Sequence, residues 1–261
     1  MAEPAEFKPA PQTALITGAA RRIGRAIALD LARHGWSIAV HHDRSREEAE
    51  AVVDDIAAGG GRAVALSADL AREDEVQALV PRARDALGDL GCLVNNASRF
   101  EVDTPETTGR EVWDQHMEVN LRAPFVLMQS FAAQLPEDTC GNVINLIDQR
   151  VWNLTPYFTS YTVSKAGLWA LTRTLALALA PRIRVNAIGP GPTLPSERQT
   201  QEQFEEQYRS MPLGCAATLD EIGRTVRFIL SAPAMTGQMI ALDGGQHLGW
   251  AQGEHGEIVV E

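Results

Sequence analysis

An α/β fold built on a parallel sheet is the architecture this sequence predicts. Short apolar or β-branched runs alternate with longer helix-like segments, the order that right-handed βαβ crossovers generate. The 261 residues are 45% hydrophobic, enough to bury one large core and within the size of a single α/β domain. No repeat, low-complexity block or long Pro/Gly linker divides them.

In chain order, the strand runs are 13–17 (Thr-Ala-Leu-Ile-Thr), 37–42, 63–67, 92–95, 142–147, 184–188 and a short last one at 239–242. The helix-like segments between them are 24–34, 46–58, 72–87, 111–135, 161–180 and 219–231. The stretch 168–180 is the most apolar, is too short to span a bilayer, carries Arg173 and reads as a buried helix. Segment 194–211 reads as a polar helix inserted after the sixth strand, either a solvated face or a lid over a ligand. Residues 1–11, with three prolines and two glutamates, read as a flexible arm and not as a signal peptide or anchor. The main domain is then 12–249, and 250–261 is a C-terminal tail.

Charge and cysteine usage narrow the function. With 34 acidic against 23 basic residues, a net charge of -11 argues against binding nucleic acid or an anionic membrane. Cys92, Cys140 and Cys215 are odd in number and match no metal-ligand or disulfide pattern, so no metal is expected and a reducing cytoplasm fits.

The first chemical motif is Thr17-Gly18-Ala19-Ala20-Arg21-Arg22-Ile23-Gly24, between a strand and a helix. Small residues let such a turn approach a pyrophosphate, and the helix N-terminus attracts it. Arg22 replaces the usual central glycine and puts a guanidinium beside the phosphates, to clamp the cofactor or touch the substrate. At the end of the second strand, an acidic residue would select NAD(H); His42 stands there instead, followed by Asp43-Arg44-Ser45. Arg44 and Ser45 suit a ribose 2′-phosphate, so NADP(H) is expected, although the pair also serves to open a helix. His41 and His42, as strand neighbours, point to opposite faces and do not suit a shared metal. Asp69 either meets the adenine edge or caps the next helix, with Leu70 beside it.

Asn95-Asn96-Ala97-Ser98 follows the fourth strand at the edge where open α/β sheets bind ligands. Asn120, polar within a helical stretch, either bonds backbone groups or anchors a water chain. The strongest motif is Tyr161-Thr162-Val163-Ser164-Lys165, because positions i and i+4 place phenol and ammonium on one helix face. A nearby cation favours the phenolate, so the tyrosine can give up its proton while hydride arrives from a dinucleotide.

With Gly189-Pro190-Gly191 added, these motifs resemble the short-chain dehydrogenase/reductase family over residues 12–249. The resemblance implies a three-layer Rossmann-type fold with a seven-stranded parallel sheet and helices on both faces, and usually a homotetramer. It implies that Tyr161 is the proton donor, that Lys165 grips the nicotinamide ribose, and that Asn120 and Asp148 complete the catalytic set. It assigns the cofactor to Gly18, Arg21, Arg22, Ile23, Gly24, His42, Arg44, Ser45, Asp69, Leu70, Asn96, Ala97, Tyr161, Lys165, Pro190 and Gly191. In relatives the chain after Asp243-Gly244-Gly245 lies near a subunit contact, so the tail either reaches a neighbouring site or is loose surface chain.

Asp148 is the informative departure. The residue thirteen before the tyrosine is normally a serine that donates to a substrate carbonyl, and a carboxylate does not donate unless protonated. With the Arg21-Arg22 turn, the His41–Ser45 segment, Ser98 and Phe100, this is similar to the pteridine reductase branch. That branch implies Phe100 stacking on a flat pterin, Arg22 and Ser98 at its polar edge, and Asp148 working with Tyr161 to protonate a ring nitrogen. The plainer alternative has Phe100 as packing and Asp148 in a salt bridge with Arg150 or Arg99. Two other functions stay open: an NADPH-dependent reductase of a ketone or 3-oxoacyl thioester, and a non-catalytic dinucleotide-binding sensor.

Overall fold

A computed structural model describes residues 7–196 and 198–249. Its strands are β1 (Thr13–Ile16), β2 (Ser37–His42), β3 (Ala63–Ser67), β4 (Cys92–Asn95), β5 (Gly141–Leu146), β6 (Ile183–Pro190) and β7 (Met239–Leu242). They form one sheet in the order β3-β2-β1-β4-β5-β6-β7, and every pairing is parallel. The chain winds outward from β1 in one direction and from β4 in the other, which opens a crevice at the C-terminal ends of those two strands.

The helices are α1 (Arg22–Arg33), α2 (Arg46–Ala58), α3 (Glu73–Leu87), α4 (Arg110–Met117), α5 (Ala123–Gln134), α6 (Thr159–Ala178), α7 (Gln201–Arg209) and α8 (Leu219–Ser231). Strand alternation divides the core between the two sheet faces. Leu15, Ala39, Leu93 and Val143 pack with Leu79 of α3, Leu127 of α5 and Leu168 of α6. Their neighbours Ala14, Ile16, Ile38 and Val94 pack with Ile27 of α1, Val52 of α2 and Ile222 of α8. A sheet covered on both faces needs strands apolar on both sides, and every residue of β1, β4 and β5 is buried.

Four expectations are corrected. The helix expected over 111–135 is interrupted between α4 and α5 by a π turn, Glu118–Arg122. Pro124 opens α5 and has no N–H to continue the regular ladder. Among the described residues of segment 194–211 the helix is α7, started by a Thr200/Gln203 capping box; Pro192 and Pro195 precede it. The apolar helix α6 is buried along Leu168, Thr172 and Ala176 but leaves Leu177 in solvent. The described part of the expected N-terminal arm is docked: Lys8 N donates to Asp138 O at 2.7 Å and Cys140 N donates to Lys8 O at 2.9 Å. Residues 1–6 and the tail 250–261 lie outside the described residues.

Candidate active site

The turn from β1 into α1 is shaped by close approaches. Gly18 sits at φ +63° and Arg22 at φ +52°, the left-handed region that glycine enters freely and other residues enter under strain. At Gly24 a Cβ would lie 2.3 Å from Gly18 O and 2.5 Å from Asn96 Nδ2, so no larger residue fits without displacing the turn. Asn96 Nδ2 donates to Thr17 O at 2.8 Å, and Thr17 Oγ1 accepts from Asn96 N and Ala97 N at 2.9 and 3.0 Å. His41 Nδ1 accepts from Gly18 N at 3.0 Å, while its Nε2 faces Ala68 O at 3.0 Å. These bonds put the proton on Nε2, and burial pushes the His41 pKa down to about 4. Arg21, the N-cap of α1, makes no side-chain cap bond and the first turn holds no acidic residue. The helix amides therefore remain available to an anion, as a pyrophosphate requires.

At the end of β2 the buried His42 turns its Nδ1 to Asp43 O at 3.0 Å. Arg44 extends into solvent, 3.7 Å from the Asp43 carboxylate. Ser45 is the N-cap of α2, yet its hydroxyl makes no cap bond. An exposed guanidinium, an uncommitted hydroxyl and a helix N-terminus suit a ribose 2′-phosphate. Asp69 is not the cap of α3, which is Arg72; its carboxylate accepts from Ala71 N at 2.9 Å and shapes the turn after β3. Leu70 is buried in the core. Beyond β6, a Cβ on Gly191 would stand 2.8 Å from Asp243 Cα, so that backbone also requires glycine.

Asn120 lies in the π turn and is fully buried. Its Nδ2 donates to Arg99 O at 3.0 Å and Ser164 Oγ at 3.1 Å, and its Oδ1 accepts from Arg99 N at 2.7 Å. Ser98 Oγ lies 3.2 Å from the same oxygen. Of its two expected roles, Asn120 fills the backbone-bonding one, joining the loop after β4 to α6.

Tyr161 and Lys165 share a face of α6, as expected. Tyr161 Oη donates to Asp148 Oδ2 at 2.9 Å. The other Asp148 oxygen accepts from Arg150 N at 2.8 Å, which fixes the carboxylate as an N-cap. Lys165 is buried, and its Nζ donates to Leu146 O at 2.8 Å, 5.8 Å from the Tyr161 ring centroid. Burial pushes the Lys165 pKa down to about 8, with the Asp148 charge opposing. The Arg150 guanidinium donates to Thr155 Oγ1 at 2.8 Å and lies over Phe158.

Phe100 meets Tyr161 edge-on at 4.7 Å and stacks on Phe158 at 4.6 Å, 2° from parallel. One face of Phe100 is therefore occupied by protein, and the ring still borders the cleft. That cleft is open to solvent and is walled by Arg22, Phe100, Asp148, Tyr161, Pro190 and Phe204 among others. Arg22, expected to clamp the cofactor or touch the substrate, lines the cleft and donates to Pro195 O at 2.9 Å and Leu194 O at 3.3 Å. Arg198 reaches back to Phe100 O at 3.1 Å and to the Glu101 carboxylate. Segment 194–211 is thus tied to both sides of the opening. Sequence reasoning missed Phe158, Arg198 and Gln246. It also missed that the side-chain oxygens of Gln149 and Gln246, two cleft residues, make no hydrogen bond. The only signal at Phe158 is an unusual backbone, φ +60°, which sequence does not display.

The parallel sheet, the glycine turn and the Tyr161–Lys165 pair define a dinucleotide-dependent oxidoreductase of the Rossmann type. A family model described as enoyl-(acyl carrier protein) reductase matches residues 18–247, and the chain belongs to the short-chain dehydrogenase/reductase family. Among its relatives, FolM alternative dihydrofolate reductase 1 of Brucella suis, solved in complex with NADP, is 53% identical at a TM-score of 0.89, covering 93% of this chain and 97% of that one. The Brucella canis protein, also solved with NADP, is 51% identical at 0.88, covering 94% and 98%. A 3-oxoacyl-[acyl-carrier-protein] reductase, FabG of Staphylococcus aureus, is 35% identical over 91% of this chain and 98% of its own.

Proposed function

We propose that this chain is an NADPH-dependent reductase of a dihydropterin. The observation that carries this reading is the Tyr161 hydroxyl bonded to the Asp148 carboxylate at 2.9 Å beside the flat Phe100 ring. A carboxylate beside the phenol suits protonation of a ring nitrogen that carries N–H neighbours, whereas a carbonyl oxygen would meet the carboxylate unfavourably. The Brucella dihydrofolate reductases, about half identical to this chain and bound to NADP, support the same substrate class. So do Arg44 and Ser45 for the phosphorylated cofactor.

Gly18, Gly24 and the α1 amides would hold the pyrophosphate, and Arg44 and Ser45 the 2′-phosphate. When bound, the nicotinamide supplies hydride to the carbon of a C=N bond. Tyr161 Oη gives its proton to the nitrogen, so the double bond becomes CH–NH. Lys165, buried beside the phenol, stabilises the oxyanion left behind, which solvent then reprotonates. Asp148 orients the hydroxyl before transfer, Asn120 holds the loop and helix in register, and segment 194–211 limits water. Membership of the family supports a homotetramer, whose contacts would cover exposed apolar side chains such as Leu177 of α6 and Phe228 of α8. A cytoplasmic location accords with the absence, among the described residues, of a helix long and apolar enough to cross a membrane.

The alternative, reduction of a 3-oxoacyl thioester, is favoured by the 35% identity to the staphylococcal enzyme. The test is NADPH oxidation with dihydrofolate, dihydrobiopterin, simple ketones and a 3-oxoacyl thioester. Turnover of the dihydropterins, lost in Tyr161→Phe, is the expected result. Turnover confined to the thioester would overturn the substrate assignment, and cofactor binding with no turnover of any compound would support a sensor.

A further inference from the structure

Behind the Phe100 wall lies a closed polar cluster that the chemistry above does not use. His116 at the end of α4 and Ser160 at the start of α6 are fully buried, and Asp103 nearly so. Ser160 Oγ donates to Asp103 Oδ2 at 2.5 Å, and Ser160 N donates to the same oxygen at 3.1 Å. The Ser160 hydroxyl proton is thereby committed, so the 2.6 Å contact between His116 Nδ1 and Ser160 Oγ must be donated by the imidazole. The other ring nitrogen, Nε2, accepts from Glu101 N at 3.1 Å. One tautomer satisfies both bonds, and it is neutral. The residues gripped are the flanks of the site: Glu101 follows Phe100, and Ser160 precedes Tyr161, whose ring meets His116 at 5.9 Å. Asp103 O also accepts from Phe158 N at 2.8 Å, under the ring that stacks on Phe100.

We infer that His116 is a positioning residue, a clasp that holds the Phe100 wall against the Tyr161 helix only while its imidazole is neutral. The inference rests on the reductase reading of the cleft. A second proton on Nε2 would face the Glu101 N–H donor to donor in a closed space, and the loop must leave. Five charged or titratable groups surround the ring: Asp103, Glu101 and Arg99 from the loop, and Tyr161 and Lys165 from α6. Burial is the largest influence and holds His116 below the ordinary histidine value; Asp103 and Glu101 oppose it, and Lys165 and Arg99 add to it. The clasp is thus closed at neutral pH and opens on the acid side of 6.5.

The test follows protection of the Glu101 amide against hydrogen exchange in the full chain without ligand, as pH falls from neutral. In wild type the protection, corrected for intrinsic exchange, drops by up to about tenfold per pH unit once the ring begins to protonate. In His116→Gln, whose amide oxygen can accept from Glu101 N and does not titrate, it stays flat. With dihydrofolate as probe, the wild-type KM rises over the same range more than kcat falls, and H116Q loses that rise; comparison with the variant cancels titration of the ligand itself. Wild-type protection that does not change with pH overturns the clasp, and needs no variant to fold. An equal acid loss in H116Q overturns it also. If dihydrofolate is not a substrate while the Glu101 amide still opens with acid, the substrate assignment fails and the clasp stands.

Discussion

On the cofactor side of the cleft, the turn after β1 is held by backbone atoms and short buried side chains: Gly24 against Gly18, Asn96 on Thr17 and Gly18, His41 on Gly18. On the substrate side, the segment before α7 is held by long charged arms, Arg22 on Leu194 and Pro195 and Arg198 on Phe100 and Glu101, at positions open to solvent. A turn locked by excluded volume presents one shape to an invariant phosphate. A segment tied by exposed guanidinium groups opens at little cost, because surface ion pairs contribute only about 0–1 kcal/mol. The rigid side suits binding the same cofactor at every turnover, and the loosely tied side suits admitting and releasing a substrate.

The largest expected effect lies where the two sides meet. Tyr161→Phe removes the proton donor and lowers kcat by about 10²–10⁴-fold, with NADPH affinity, measured by fluorescence titration, changed little. On the rigid side, His41 holds a proton less readily folded than unfolded. Its contribution is fully present above 6.5 and is lost as pH falls from 6.5 toward about 4. That amounts to roughly 3 kcal/mol, read by urea unfolding at several pH values, and His41→Asn should flatten this part of the profile. Gly24→Ala forces a Cβ into Gly18 O and should lower stability by about 1–3 kcal/mol while abolishing NADPH binding. A variant that binds NADPH normally would break the claim that excluded volume shapes this turn. Arg44→Ala removes one charge-assisted bond and should weaken NADPH by about 10–100-fold with NADH unaffected. Smallest, Arg198→Ala should raise the dihydropterin KM by at most about fivefold and leave NADPH affinity unchanged; an equal loss of both would mean that the two sides are not held independently.

Much of the rigid side was legible from residue order. Thr17 to Gly24 lies between a strand and a helix, and a backbone that must pass close to another backbone announces itself as glycine. Tyr161 and Lys165 are four apart on one helix, so their shared face follows from helical geometry alone. The looser side was less legible. Residue order leaves Arg22 open between cofactor and substrate, and does not display its bonds to the carbonyls of 194 and 195, which form because the chain between β6 and α7 folds back over it. The sequence leaves Asp148 open to a salt bridge with Arg150 or Arg99, and its carboxylate accepts the Arg150 backbone amide and the Tyr161 hydroxyl. The helix through 111–135 was read unbroken, and its π turn is what turns Asn120 toward both Arg99 and Ser164.

Residue order alone determined the parallel α/β architecture, the glycine turn after β1 and the phenol–ammonium pair, because each rests on periodicity or on neighbours within one turn of chain. Tertiary structure decided what surrounds them: the Phe158 ring behind Phe100, the His41 and Asn96 clamps, the Arg198 tie and the His116–Ser160–Asp103 cluster. These contacts join residues dozens of positions apart, and their strength depends on desolvation and on the direction of each donor, quantities that exist only once the chain has closed on itself.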